Sequence, residues 1–353
     1  MSLKKLRQQI DVLDHKIVAL LNQRTRMSVQ IAELKRACGQ AGYSPDREQE
    51  VLRKIVMASK GPLPRQGLEA IYREIMSSSL SLGAHLKVAY LGPEATFTNL
   101  AALKRFGSQV EYIACNTIAD VFAVVEKDGV DYGVVPIENS VEGAVSHTMD
   151  MFIDSDLKIC SQVLLSVSHN LLARCAMSKV KRVYSKAEVF GQCRIWLEKN
   201  LPHAEKVDAS STSRAAQIAF SQRYSAAIGS ALAAKIYALE VVAKDIQDSA
   251  HNITRFLVIG KTSPGPTNAD RTSLLFSIKD KVGALHDMLM PFKKYRINLS
   301  KIESRPSKKK AWDYYFYVDL EGHRNEPRVA KAVRELESRC RFLKVLGSYP
   351  KGE

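Results

Sequence analysis

The first 34 residues carry apolar side chains at alternating spacings of three and four, the period of a coiled-coil seam on a helix. A helix of this length extends about 50 Å at 1.5 Å per residue and outruns any small domain. The pattern therefore predicts a long helix that packs on a partner, most simply a second copy of the chain. Its members are Leu3, Leu6, Ile10, Leu13, Ile17, Leu20, Met27, Ile31 and Leu34.

Two shorter helices follow the long one. Ser44-Pro45 predicts a helix start, with serine as N-cap and proline in the first turn, and this helix runs to about residue 59. A third helix is predicted over residues 66–82. We expect an all-α, three-helix domain over residues 1–83 that forms an intertwined dimer.

From Leu86 the period changes to short apolar strands alternating with helical stretches, which is the α/β pattern of mostly parallel sheets. Residues 86–262 suit two small lobes with a cleft between them. Ligands in such sheets bind at the carboxyl ends of strands. The predicted strands are Lys87–Leu91, Tyr132–Pro136, Arg182–Ser185, Ala226–Gly229 and Arg255–Gly260.

The last part of the chain follows a linker rich in proline and small residues, Thr262-Ser-Pro-Gly-Pro-Thr-Asn. Residues 270–353 then predict the order βαββαβ of a ferredoxin-like α+β domain. Its predicted elements are strands 273–278, 298–304, 313–320 and 342–347 and helices 283–295 and 326–338.

The chain of 353 residues has a net charge of +15, but the basic excess is spread over both flanking segments. Its densest run is only Lys308-Lys-Lys, without a nucleic-acid recognition motif, so small dianionic ligands match the charge better. No apolar run approaches the roughly 20 residues of a membrane span. Six scattered cysteines are typical of reduced thiols in a cytoplasmic protein and argue against zinc.

Three polar motifs follow one another in the α/β segment: Gly133-Val-Val-Pro-Ile-Glu-Asn-Ser-Val-Glu-Gly, Tyr184-Ser-Lys-Ala-Glu-Val-Phe-Gly-Gln, and Asn252-Ile-Thr-Arg-Phe. In this order they resemble prephenate dehydratase. With the flanking segments, the whole chain is similar to the bifunctional chorismate mutase–prephenate dehydratase family, which has a C-terminal ACT domain. The middle domain would then have a fold like that of periplasmic binding proteins.

The resemblance implies a dehydratase site that needs no cofactor. Thr254 would protonate or hydrogen-bond the leaving hydroxyl, and Arg255 would hold a carboxylate. Four of the candidate residues also have a purely structural interpretation. Asn139 and Ser140 would cap the following helix, Gln192 would be an ordinary polar residue on a helix surface, and Arg255 would form an ion pair. Two departures from the family are Ala95 in place of a glycine and Lys186 in place of a histidine. The residues assigned to prephenate are Asn139, Ser140, Ser185, Gln192, Arg255 and Phe256.

In the N-terminal domain, Arg24 occupies a seam position where an apolar residue belongs, so its guanidinium needs an anion. The resemblance assigns chorismate carboxylates to Arg24, Arg47 and, from the partner chain, Arg7. Lys35 is assigned to the ether oxygen and Glu48 to the substrate hydroxyl. Ser79 lies beside them.

One mutase position departs from the family. Its second ether-oxygen donor is a glutamine or glutamate at the position of Gly83, and losing such a donor commonly costs about a hundredfold in rate. Three explanations are open: His85 replaces the missing donor, the mutase activity is weakened, or the domain serves only for dimerisation. We favour a weakened mutase. Gly83 also has a structural interpretation, as the residue that stops the third helix.

The C-terminal motifs resemble a phenylalanine site at the interface of two ACT domains, with Val282 departing from the usual proline. Its residues are Gly283, Ala284, Leu285, Glu303, Ser304, Arg305 and Pro306. The expected protein is a cytoplasmic homodimer or tetramer inhibited by phenylalanine. The alternatives are a non-catalytic phenylalanine sensor, an arogenate dehydratase and, more distantly, a nucleic-acid-binding protein.

Overall fold

A computed structural model describes residues 2–39, 42–278, 281–307 and 314–351. The lysine run that begins at Lys308 and the predicted strand start at residue 313 lie outside them. The chain forms two compact units. The first comprises Met1–Lys87 and Arg105–Tyr112, and the second comprises Val88–Lys104 and Ile113–Glu353.

The helical unit contains the three predicted helices, which are α1 (Leu3–Ala37), α2 (Pro45–Ala58) and α3 (Arg65–Ala84). Ser44 precedes α2 as predicted, but its hydroxyl donates to the Asp46 carboxylate at 2.6 Å instead of accepting from the helix backbone. Among the described residues of α1, not one is buried in the single chain. The seam is exposed along its length, from Leu3 (66%) to Leu34 (69%), so this apolar face still needs a covering partner.

The second unit begins with the two-lobed α/β region. Its first lobe has the strand order β2-β1-β3-β11-β5, with β4 paired to β3, and its second lobe has the order β10-β6-β9-β7-β8. The elements are β1 (Lys87–Leu91), α4 (Phe97–Phe106), β2 (Glu111–Cys115), α5 (Ile118–Glu126), β3 (Tyr132–Asn139), β4 (Gly143–Ala144), α6 (Ser146–Asp154), β5 (Lys158–Ser166), β6 (Asn170–Ala173), β7 (Arg182–Ser185), α7 (Ala187–Gln192), α8 (Arg194–Asn200), β8 (Glu205–Asp208), α9 (Thr212–Ser221), β9 (Ser225–Gly229), α10 (Ala231–Ile236), β10 (Glu240–Ala243) and β11 (Ile253–Gly260).

The sheets of both lobes are mixed, so the prediction of mostly parallel strands was wrong. β1 and β3 are parallel, but β11 runs antiparallel to both of its neighbours, β3 and β5. The chain leaves the first lobe at Ser166 and returns beside it at Ile253, so β11 must run back along β5. Thr254 therefore lies at the amino end of its strand, not at a carboxyl end, and pairs with Asn139 at the end of β3.

The C-terminal part of the second unit has the predicted βαββαβ order and the strand order β13-β14-β12-β15. Its sheet shares a core with the first lobe, in which Leu275 and Leu346 pack with Ile159 and Leu257. No described helix of the chain is long and apolar enough to cross a bilayer. The elements are β12 (Asp270–Ser277), α11 (Ala284–Lys294), β13 (Leu299–Pro306), β14 (Tyr314–Glu321), α12 (Pro327–Glu337) and β15 (Phe342–Pro350).

Candidate active sites

Asn139 and Thr254 lie side by side where β3 ends and β11 begins. The amide oxygen of Asn139 accepts hydrogen bonds from the backbone N–H groups of Val141 (2.9 Å) and Glu142 (3.0 Å). This fixes the orientation of the amide, so its NH₂ group must face the other way. It donates to Thr254 Oγ1 and to Asn252 Oδ1, both at 2.7 Å.

A chain of amides extends from this pair into the second lobe. Asn252 is buried (2% exposed), and its Nδ2 donates to Gln192 Oε1 at 2.8 Å. Gln192 in turn donates from Nε2 to the Glu142 carboxylate at 3.0 Å. Gln192 therefore connects the two lobes by hydrogen bonds and is not merely a polar residue on a helix surface.

His169 completes the network as a neutral side chain. It is 2% exposed, and its Nε2 lies 2.8 Å from Gln192 Oε1. Since that oxygen can only accept, Nε2 carries the proton. Burial lowers the pKa of His169 and outweighs the opposing hydrogen bond to Gln192, which favours the neutral imidazole.

The network leaves the Thr254 hydroxyl with a defined role. Because Asn139 donates to Oγ1, one lone pair of the threonine oxygen is occupied and its own proton is available for another acceptor. A hydrogen bond received at the oxygen also polarises the O–H bond. The arrangement suits donation of a hydrogen bond, or a proton, to a departing hydroxyl group.

The turn after β1 joins the lobes on another side of the cleft. The hydroxyl of Ser213 donates to the Glu94 carbonyl, and that of Ser230 donates to the Ala95 carbonyl at 3.1 Å. Ala95 has a φ of +67°, in the left-handed region that glycine adopts without strain. Alanine at this position therefore adopts the turn at some cost in backbone strain.

Three other predicted residues are held in structural contacts. Ser140 Oγ donates to the His251 carbonyl (2.7 Å) and accepts from the Ile253 N–H (2.9 Å), which ties β3 to the start of β11. Ser185 is fully buried and donates to the Ile228 carbonyl at 3.2 Å. Phe256 is 2% exposed. None of these three side chains joins the hydrogen-bonded cluster around Thr254.

Arg255 does not join the Thr254 cluster either. Successive strand residues point to opposite faces, and Arg255 is buried with Glu138 of β3 and with Asp319 and Tyr349 of the C-terminal sheet. Its Nη1 lies 2.6 Å from Asp319 and 2.8 Å from Glu138, and its Nη2 donates to Tyr349 at 2.8 Å. Glu138 also pairs with Lys301. The alternative interpretation, an ion pair, matches this arrangement.

Removing this arginine should destabilise the fold. Arg255→Ala leaves Asp319 and Glu138 without their shared cation, and breaking a buried pair typically costs about 3–5 kcal/mol. Urea unfolding would measure the loss. As a control, Arg182→Ala removes a half-exposed arginine 3.9 Å from Glu205, a solvent-screened pair whose loss should leave stability nearly unchanged. Equal effects of the two substitutions would contradict the buried-pair account.

The helical unit contains a pocket of about 460 Å³. Five residues predicted for chorismate line it together: Arg24, Lys35, Arg47, Glu48 and Ser79. Arg24, the cation in the apolar seam, donates to Ser79 Oγ at 3.0 Å. The pocket combines three cations with one carboxylate, a composition suited to a small dianion with a hydroxyl group. Arg7 lies 28 residues before Lys35, about 42 Å away along α1.

Gly83 is a packing requirement in this unit. A Cβ at this position would lie 2.9 Å from Ala32 Cβ and 3.4 Å from Val29 Cα, so α1 and α3 approach closely only with glycine here. The glycine does not stop α3, because the helix continues to Ala84 and ends with His85 in a left-handed conformation. Neither Gly83 nor the exposed His85 lines the pocket, so the structure does not bring His85 into the donor's place.

Replacing Gly83 by glutamine, the ether-oxygen donor that the resemblance expects there, should therefore not restore that donor to the pocket. Gly83→Gln forces α1 and α3 apart and should lower stability by about 1–3 kcal/mol without raising mutase activity. Thermal unfolding and chorismate turnover would measure both effects. The double variant with Ala32→Gly removes the 2.9 Å collision and should recover part of the stability. If the Gly83→Gln protein were as stable as the wild type and a faster mutase, close packing against Ala32 would not be the reason for glycine at position 83.

The residues predicted for phenylalanine lie in two places in the C-terminal part of the second unit, one at a helix start and one in a strand. Gly283, with a φ of +75°, precedes α11, whose first residues are the predicted Ala284 and Leu285. Glu303–Pro306 form the end of β13, an edge strand. Arg305 reaches the first lobe, with Nη2 3.4 Å from the Asp150 carboxylate.

Sequence reasoning missed several residues of the cleft network. Asn252 precedes the Thr-Arg-Phe motif and could have been suspected from that position alone. Glu142 likewise lies inside one of the three polar motifs, whereas His169 gave no comparable signal, because a lone histidine in a loop is usually structural. Their role depends on contacts across 23 to 60 residues of sequence.

Comparisons with known proteins match all three segments. Family models match for chorismate mutase type II (residues 6–83), prephenate dehydratase (88–264) and the ACT domain (272–338). The bifunctional chorismate mutase/prephenate dehydratase of Aquifex aeolicus is 49% identical, covering 99% of this chain and 98% of its own. Among solved structures, prephenate dehydratase of Arthrobacter aurescens in complex with L-Phe has a TM-score of 0.71 and 33% identity, covering 75% of this chain and 90% of its own.

The Staphylococcus aureus prephenate dehydratase matches in the same region, with a TM-score of 0.66 and 27% identity, covering 75% of this chain and all of its own. Fold and sites together define a multidomain enzyme of chorismate and prephenate chemistry with an attached ACT domain. The chain belongs to the bifunctional chorismate mutase/prephenate dehydratase family.

Proposed function

We propose that this protein converts chorismate to prephenate in its helical domain and prephenate to phenylpyruvate in its two-lobed domain, in the cytoplasm. The observation that carries the dehydratase assignment is the Asn139–Thr254 contact, extended through Asn252 to Gln192. The five polar residues that share one pocket support the mutase assignment.

In the dehydratase step, the Thr254 hydroxyl donates to the ring hydroxyl of prephenate as its C–O bond breaks. The ring carboxylate leaves as carbon dioxide, and its bonding electrons enter the ring as the hydroxyl departs. The proton that turns the departing hydroxyl into water comes through Thr254, which regains a proton from solvent. Aromatisation of the ring drives the reaction, and no cofactor is needed. Threonine is a weak acid, so the polarising contact from Asn139 is part of the mechanism.

The mutase step needs no covalent chemistry. Arg24 and Arg47 hold the carboxylates, Glu48 accepts from the substrate hydroxyl, and Lys35 stabilises the negative charge that grows on the ether oxygen. Arg7 is too far along α1 to reach the same pocket, so it serves the pocket of a second copy. The exposed seam of α1 supports that pairing and a homodimer, or a tetramer built from it.

Phenylalanine would bind in the C-terminal domain, at Gly283–Leu285 and Glu303–Pro306, and lower dehydratase activity. The A. aurescens dehydratase was solved in complex with L-Phe, which supports phenylalanine as a ligand of this protein. The buried Arg255–Asp319 pair joins the C-terminal sheet to the residue next to Thr254, so a shift in that sheet can reach the site.

The test is to incubate the pure protein with chorismate and to follow prephenate and phenylpyruvate separately. Prephenate and phenylpyruvate should both form above the background without enzyme. Added phenylalanine should reduce the formation of phenylpyruvate. If chorismate persists while added prephenate is consumed, the helical domain serves dimerisation and the protein is a dehydratase only.

A further inference from the structure

We propose that Arg105 positions Glu48 in the mutase pocket, although it comes from the sequence range that matches the dehydratase. The inference rests on the proposed mutase function. It adds a residue that the mutase segment 6–83 does not contain. Arg105 would act through Glu48 and not touch the substrate.

The geometry around Glu48 supports this role. One carboxylate oxygen, Oε2, lies 3.0 Å from Arg105 Nη2 and accepts from the Tyr43 hydroxyl at 2.6 Å. Within the described parts of the chain both contacts engage Oε2, which leaves Oε1 for the substrate hydroxyl. The hydrogen bond from Tyr43 and the ion pair with Arg105 meet on the same oxygen and together restrict the position of the carboxylate.

The contact is shielded from water. The side chain of Glu48 is only 9% exposed and that of Arg105 is 19% exposed, so the attraction is stronger than in a surface pair. Although burial opposes its charge, the nearby Glu48 and Tyr43 raise the pKa of Arg105 above its usual value. The guanidinium also lies 5.7 Å from the centre of the Tyr43 ring, which packs against Phe106 at 5.1 Å.

The backbone that carries Arg105 is fixed to α3. The Ser108 hydroxyl donates to Glu74 at 2.7 Å, and the Gln109 N–H donates to Ser77 Oγ at 3.0 Å. At Gly107, with a φ of +75°, a Cβ would lie 2.5 Å from Ser77 Cβ. The segment Arg105–Tyr112 therefore belongs to the helical unit, and the guanidinium is held in place by more than its own ion pair.

The test uses the full-length protein with three substitutions at one position. Arg105→Ala should lower mutase kcat/KM by about ten- to a hundredfold, because it removes the cation that holds the Glu48 carboxylate in position. Arg105→Lys should recover most of it, and Arg105→Gln less. Phenylpyruvate formation from added prephenate should remain at the wild-type rate in all three.

Two controls separate positioning from folding. Glu74→Ala loosens the same segment without touching Glu48 and should leave mutase kcat/KM near the wild-type value. In a Glu48→Gln background, Arg105→Ala should add little, because both residues act through one contact. Wild-type mutase kinetics in Arg105→Ala would overturn the proposal, as would equal losses in Glu74→Ala. A wild-type protein without mutase activity would overturn the proposed mutase function itself.

Discussion

Replacing Thr254 by alanine is expected to lower dehydratase turnover by about a thousandfold, within the range that a positioned proton donor contributes. The substitution removes the only group of the Asn139 contact that has a proton available for the substrate. The methyl group of alanine fits in the space of the threonine, so the fold should be retained. Turnover of prephenate at saturating substrate would measure the effect.

The matched control is Thr254→Ser, which keeps the hydroxyl and should retain much of the activity. Mutase turnover of chorismate should be unchanged in both variants, since the pocket lined by Arg24 and Lys35 belongs to the other compact unit. Near-normal phenylpyruvate formation by Thr254→Ala would show that another group protonates the leaving hydroxyl.

The second large effect is expected at Lys35. In the proposed mechanism Lys35 is assigned to the ether oxygen and Gly83 supplies no second side-chain donor, so Lys35→Ala should reduce mutase kcat by about a hundred- to a thousandfold. Chorismate consumption would measure this loss. Prephenate added directly should still be converted at the wild-type rate.

Lys16→Ala is the matched control for that experiment. Lys16 lies on the same helix, is exposed and does not line the pocket, so its loss should leave the mutase rate unchanged. If Lys35→Ala retained full mutase activity, the pocket would have to bind chorismate in another orientation. Equal losses in both variants would instead indicate damage to α1 as a whole.

Local patterns were sufficient for much of the fold. The 3-4 repeat predicted α1, and the boundaries of α2 and α3 fell within two residues of those observed. The βαββαβ order of the last domain was also predicted correctly, because turn residues and side-chain periods are properties of neighbouring residues. For the mutase, five candidate residues share one pocket, since helical spacing places them on adjoining faces.

The dehydratase site could be predicted only in part. Thr254, Asn139 and Gln192 meet, but Ser185 and Arg255 are engaged elsewhere. Neighbours in a strand face opposite sides of the sheet, so Thr254 and Arg255 cannot both face the Asn139 cluster, and the packing of β11 decides which of them does. That strand runs antiparallel to its neighbours because the chain re-enters the first lobe beside the strand by which it left. No local pattern encodes this return.

The sequence by itself predicted the domain order, the helices of the N-terminal unit, the βαββαβ order of the last part and the candidate residues of both sites. Only the tertiary structure decided which face of β11 meets the cleft, why residue 83 is glycine and that Arg105 reaches Glu48. These three depend on contacts between segments distant in sequence. A side chain's neighbours across such distances follow from how elements pack, and a single sequence records packing only indirectly.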